Sequence, residues 1–147
     1  MKILLTTFMF SLILLAACES TDDILDRIDH KVPVIEFTND TLAADPGSSI
    51  TVSATIEDES GIERIEFSYG SWRINQIIDL SQEPVTSSYS FTTNIIIPAD
   101  AIKEWQEDKY FNDASSIKIT QRYHPLALSA WDKNRNLNKV YVYVRVD

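Results

Sequence analysis

Nine consecutive residues, Ser49 to Glu57, alternate between apolar and polar side chains. Ile50, Val52, Ala54 and Ile56 share one parity, and Thr51, Ser53, Thr55 and Glu57 share the other. Successive side chains of a strand point to opposite faces, so this stretch buries one face and wets the other as an antiparallel β-strand. A helix would scatter the same four apolar side chains around its circumference. The period recurs along most of the chain. Val34-Ile35-Glu36-Phe37 reads as a strand opened by Pro33, and Thr41-Leu42-Ala43 as a brief edge segment. Ile62 to Tyr69 puts Ile65, Phe67 and Tyr69 on one face. Gly70-Ser71 makes a tight connection, after which Trp72, Ile74, Gln76, Ile78 and Leu80 keep the period. Ser88 to Ile97 aligns Tyr89, Phe91, Thr93, Ile95 and Ile97. The last strand, Lys139 to Val146, turns Val140, Val142, Val144 and Val146 inward and Tyr141, Tyr143 and Arg145 outward.

Two segments depart from this rule. Ala101, Ile102 and Trp105 are spaced for one helical face, which predicts a short amphipathic helix between Ala99 and about Phe111. Ser116 to Asp132 is long for one strand, and its apolar parity switches at His124-Pro125, which predicts a bulge or a break there. Seven or eight short strands, turns such as Asp45-Pro46-Gly47-Ser48 between them, and one small helix define a mainly β, antiparallel sandwich. The one cysteine, Cys18, precedes all of them, so apolar inner faces must supply the stability without a disulfide. Each fully buried large side chain contributes ~1.5–3 kcal/mol before entropy is counted.

The N-terminus has a different composition. Lys2 is followed by a mostly apolar run from Ile3 to Leu15 and then by small residues, the layout of a secretory signal peptide. The run falls short of the ~20 apolar residues that span a bilayer. Leu15-Ala16-Ala17-Cys18 resembles the lipobox of bacterial lipoproteins. The resemblance implies that residues 1–17 are removed and that Cys18 is lipidated, palmitate included, and becomes the mature N-terminus. Glu19-Ser20-Thr21-Asp22-Asp23 is similar to the acidic export tract of surface lipoproteins of polysaccharide-utilising Gram-negative bacteria. In that reading Glu19, Asp22 and Asp23 direct the protein to the cell surface of the outer membrane; the residues alone equally describe a solvated acidic tether. The expected organisation is a signal peptide (1–17), a tether (18–31) and one folded domain (32–147).

Charge narrows the partners. The 147-residue chain carries a net −9, and removal of Lys2 with the signal peptide leaves −10. Phosphate backbones are bound by clustered Lys and Arg, so nucleic acid is not an expected partner. Thr55-Ile56-Glu57-Asp58-Glu59-Ser60-Gly61-Ile62 and Leu128-Ser129-Ala130-Trp131-Asp132-Lys133-Asn134-Arg135-Asn136 resemble two stretches of bacterial Ig-like domains. These are the corner between the second and third strands and the final hairpin. The family usually has Gly where Arg135 stands; Asn134 or Asn136 is expected to take the positive φ instead.

Candidate chemistry is sparse. Trp72, Trp105 and Trp131 with Tyr141 and Tyr143 are candidates for an aromatic platform, since an aromatic face offers apolar area to sugar C–H groups. Trp131, Tyr141, Tyr143 and Trp72 are the expected ligand face, with Trp131 near Tyr141 or Tyr143 across the last hairpin. The bland alternative is cross-strand aromatic packing. Asp58, Glu59 and Asp132 are weak calcium candidates, against the reading that they cap turns. His30 and His124 lack ligand-like neighbours at useful spacing. With three glycines and no Gly-x-Ser-x-Gly, neither a phosphate loop nor a nucleophile elbow is present. The expectation is therefore a lipid-anchored, non-catalytic binding or structural accessory, acting in adhesion or envelope-protein assembly. A carbohydrate-binding accessory of a glycan-uptake system and a periplasm-facing interaction module are the alternatives.

Overall fold

The computed structural model describes residues 30–112 and 115–147, and Lys31–Asp147 forms a compact unit. The lipobox, Cys18 and the acidic residues Glu19, Asp22 and Asp23 lie outside the described residues. Among the described residues no helix is long and apolar enough to cross a membrane.

Among the described residues ten strands follow in order: β1 (Val34–Phe37), β2 (Thr41–Ala44), β3 (Ser49–Glu57), β4 (Ile62–Tyr69), β5 (Ile74–Asp79), β6 (Ser88–Ile96), β7 (Trp105–Asn112), β8 (Ser115–Gln121), β9 (Tyr123–Asp132) and β10 (Leu137–Val146). They form a three-stranded sheet, β1-β3-β6, a five-stranded sheet, β2-β10-β9-β4-β5, and a two-stranded ribbon, β7-β8. All pairings are antiparallel except β2 with β10. The two larger sheets pack face to face as a β-sandwich. Val52, Ala54, Ile56, Phe91 and Ile95 enter the core from one side, and Ile65, Phe67, Leu126, Leu128, Val142 and Val144 from the other. Phe67 and Phe91 meet across the layers with ring centroids 5.4 Å apart. The period-two pattern thus decides the layering: each alternating strand gives its apolar parity to the shared interior.

The predicted helix is absent. Residues 105–112 instead pair with 115–121 as the ribbon, Trp105 opposite Gln121 and Lys109 opposite Ile117. The supposed helical face does not bury together, because Ile102 stays exposed. Strand pairing satisfies the backbone, and β-branched Ile117 and Ile119 favour it. The count of strands therefore rises from seven or eight to ten. The expected break in the 116–132 stretch falls at Arg122, two residues before His124. Trp72 is not in a strand but in a 3-10 turn, Gly70–Trp72, closed by Arg73 with φ 56°.

The two stretches likened to Ig-like corners are neighbours. Gly61 takes φ +96° and its carbonyl accepts the Lys133 N–H at 2.8 Å. In the final hairpin Arg135 itself adopts φ 68°, a correction to the expectation for Asn134 or Asn136. Asn136 is held by Asp132: its backbone N–H and side-chain amide donate to the two carboxylate oxygens, each at 2.7 Å.

Candidate binding groove

The final hairpin fixes a register that carries aromatic rings to the outer face of the five-stranded sheet. Tyr141 pairs with Ala127, Tyr143 with Pro125 and Arg145 with Tyr123. The valines between them are buried, so Tyr123, Tyr141 and Tyr143 project outward, 42%, 44% and 43% exposed. With Pro125 and Thr41 they line one side of an open groove of about 560 Å³. The ribbon supplies the rest of the lining: Trp105, Glu107, Lys109 and Gln121.

The ribbon side is held in place by a second aromatic group. Buried His124 lies against Trp72, 4.6 Å between centroids, and Trp105, 4.9 Å. Its Nε2 is 2.8 Å from the Ile102 carbonyl and its Nδ1 is 2.8 Å from the Tyr69 hydroxyl. A carbonyl only accepts, so Nε2 donates, and in the neutral ring Nδ1 accepts from Tyr69. His124 is thus a structural pin: it fixes the approach to the ribbon at Ile102 and sets the plane of Trp105, whose indole also lines the groove.

The polar rim is ordered too. Gln121 donates to one Glu107 carboxylate oxygen at 2.9 Å, and Lys109 donates to the other at 3.2 Å. The Gln121 hydrogen bond first, and Lys109 second, hold the Glu107 carboxyl below the usual glutamate range. The groove therefore combines apolar ring faces with an ionised acceptor, an amide and an ammonium.

The predicted face is only partly assembled. Tyr141 and Tyr143 come together, but Trp131 and Trp72 do not join them. Trp131 pairs with Leu137, four residues along β10 from Tyr141, and lies under the Arg64 guanidinium, 4.9 Å from the ring centre. Trp72 packs edge-on against Tyr69 and beside His124. Trp105 and Tyr123 take their places. Counting back from the last hairpin would have put Tyr123 beside Tyr143; the pinning of Trp105 by His124 has no local sequence signal.

Of the calcium candidates, Asp58 and Asp132 bond within turns and Glu59 forms a surface ion pair. Asp58 accepts from the Ser60 N–H at 2.8 Å and its hydroxyl at 2.6 Å, Asp132 holds Asn136, and Glu59 pairs with Lys31 at 2.8 Å on the surface. Among the described residues no three acids, histidines or cysteines form a metal-binding group. His30 is exposed.

Fold and groove together define a β-sandwich protein with an open aromatic cleft on its larger sheet. No family model and no curated protein matches the chain.

Proposed function

We propose that the protein is a non-catalytic binding module of the cell surface, lipid-anchored through Cys18, that holds a carbohydrate chain in the groove. The observation that carries this reading is the set of exposed rings, Tyr123, Tyr141 and Tyr143, facing the fixed indole of Trp105. Sugar rings present apolar C–H faces bordered by hydroxyls, and such a cleft offers aromatic area flanked by acceptors and donors. Glu107 is the single carboxylate in the lining, whereas glycoside hydrolysis takes two opposed across the bond, so the cleft is read as holding rather than cutting.

The sandwich is read as Ig-like. Its support is the parallel pairing of β2 with β10 at one edge of the five-stranded sheet, and the adjacency of the two corner stretches. The ribbon is then an insertion between β6 and β9 that builds one wall of the groove. Anchorage and export rest on Leu15-Ala16-Ala17-Cys18 and on Glu19, Asp22 and Asp23.

Electrophoresis through gels containing soluble neutral polysaccharides tests the groove. The chain is retarded by at least one polysaccharide, Trp131→Ala is retarded equally, and Tyr141→Ala/Tyr143→Ala is not. Equal retardation of all three, or of none, overturns the reading. Protease added to intact cells tests the location: the native chain is digested and a Glu19/Asp22/Asp23→Ala variant is protected. Protection of the native chain would place it on the periplasmic side, with an envelope protein as its partner.

A further inference from the structure

A second cavity, of about 480 Å³, lies where the approach to the ribbon meets the 3-10 turn. The rings of Tyr69, Trp72, Trp105 and His124 line it, with Asp100 and Ser71 as its other polar side chains, and the rest of the lining is apolar. The rings brace one another. Tyr69 meets Trp72 edge-on, with centroids 5.1 Å apart. His124 stands 4.6 Å from Trp72, 4.9 Å from Trp105 and 5.7 Å from Tyr69. Only Trp105 is shared with the groove.

This lining favours one kind of charge. Asp100 is exposed and is the one charged side chain in it; no lysine or arginine takes part. His124 adds no charge, because its Nε2 donates to the Ile102 carbonyl and its Nδ1 accepts from the Tyr69 hydroxyl. The face of an aromatic ring carries the negative end of its quadrupole and attracts a cation within ~6 Å of the centroid. Trp131 already has such a cation, the Arg64 guanidinium at 4.9 Å. Among the described residues neither Trp72 nor Trp105 has one. The net −9 of the chain draws cations toward its surface and keeps anions off.

We propose that this cavity binds a small dissolved quaternary ammonium compound, with the methylated cation against the indoles of Trp72 and Trp105 and its charge balanced by Asp100. The absence of N–H groups is what selects a quaternary cation. A primary ammonium brings three donors that need acceptors, and ring faces are poor ones. Both His124 nitrogens are already engaged, by Tyr69 and Ile102, so the lining also has little to offer the many hydroxyls of a sugar. The groove differs in both respects: it holds an ammonium of its own, Lys109, and a row of polar groups. The inference therefore stands apart from the carbohydrate reading.

Tryptophan fluorescence of the full chain carrying Trp131→Phe, titrated with choline, tests the proposal, since Trp72 and Trp105 are then the only indoles. Their emission changes saturably, and choline binds at least about tenfold more tightly than its neutral isostere, in which a tert-butyl group replaces trimethylammonium. Asp100→Lys, on an exposed site, weakens choline binding severalfold and leaves polysaccharide retardation as it was. Tyr141→Ala/Tyr143→Ala binds choline as the native chain does. No saturable change, or equal binding of choline and its isostere, overturns the proposal. So does loss of choline binding in Tyr141→Ala/Tyr143→Ala, which would put the cation in the groove. A response to phosphatidylcholine vesicles with none to dissolved choline overturns the choice of a dissolved compound in favour of a lipid headgroup.

Discussion

Replacing Gly61 with alanine probes the junction between the corner after β3 and the last hairpin. Two costs add at this site. Gly61 has φ +96°, where an L residue is disfavoured by ~1–2 kcal/mol. A Cβ there would lie 2.6 Å from Val85 Cγ1, and nothing closer than 3.6 Å opposes it otherwise. Val85 is exposed, so it can swing aside at the expense of its preferred rotamer, ~0.5–1.5 kcal/mol. The stiffer unfolded chain returns ~0.4–1 kcal/mol. The net loss is about 2 kcal/mol, which lowers Tm by about 8 °C in a domain of this size. Thermal unfolding followed by circular dichroism measures it, and a Val85→Ala background separates the terms. There the clash is relieved and the cost of Gly61→Ala falls to about 1 kcal/mol, the backbone share. A Tm within about 2 °C of the native value, or a cost unchanged by Val85→Ala, would refute the reasoning.

Three further outcomes follow from local geometry. Arg135→Gly removes the penalty of a side chain at φ 68° and raises stability by about 1 kcal/mol in denaturant unfolding; Arg135→Pro, which cannot reach a positive φ, unfolds the hairpin. Tyr69→Phe deletes the hydroxyl that donates to His124 and costs ~1 kcal/mol; it also lessens polysaccharide retardation, because Trp105 loses its fixed support. For Glu107 the folded pKa is depressed, so its contribution to the ribbon is complete above the unfolded value and is lost as pH falls through the lower folded one. An NMR titration of its side-chain carboxyl shows a midpoint below the ordinary 4.5, and Gln121→Ala moves that midpoint up.

How much of this was legible in the sequence depends on how local each cause is. Strands β3, β4 and β10 could be read nearly to the residue, because the alternation of Ile50, Val52, Ala54 and Ile56 and of the four late valines is a property of neighbouring residues. The outward placement of Tyr141 and Tyr143 followed from the same parity. The helix failed for the opposite reason. The spacing of Ala101, Ile102 and Trp105 fits a helix, but the conformation is decided by residues far along the chain: β8, which pairs with the segment, and His124, which holds Ile102 and Trp105. The places of Trp72 and Trp131 also depend on partners distant in sequence, His124 and Arg64. The indole of Trp72 is captured by Tyr69 and His124, and that of Trp131 by Arg64, 67 positions earlier in sequence. Arg135 shows a third case, in which the turn geometry was foreseen but assigned to the wrong residue, since the Asp132–Asn136 hydrogen bonds fix Asn136 at the strand end.

The central claim is that one face, the groove between the ribbon and the tyrosines, receives the ligand. The most direct measurement is NMR of the protein titrated with a neutral polysaccharide fragment that retards it in the gel. Signals of Trp105, Gln121, Tyr123, Tyr141 and Tyr143 are expected to shift together while those of Trp131 and β6 stay. Shifts gathered around Trp131 and Arg64, or spread along β6 with the tyrosines unmoved, would contradict it.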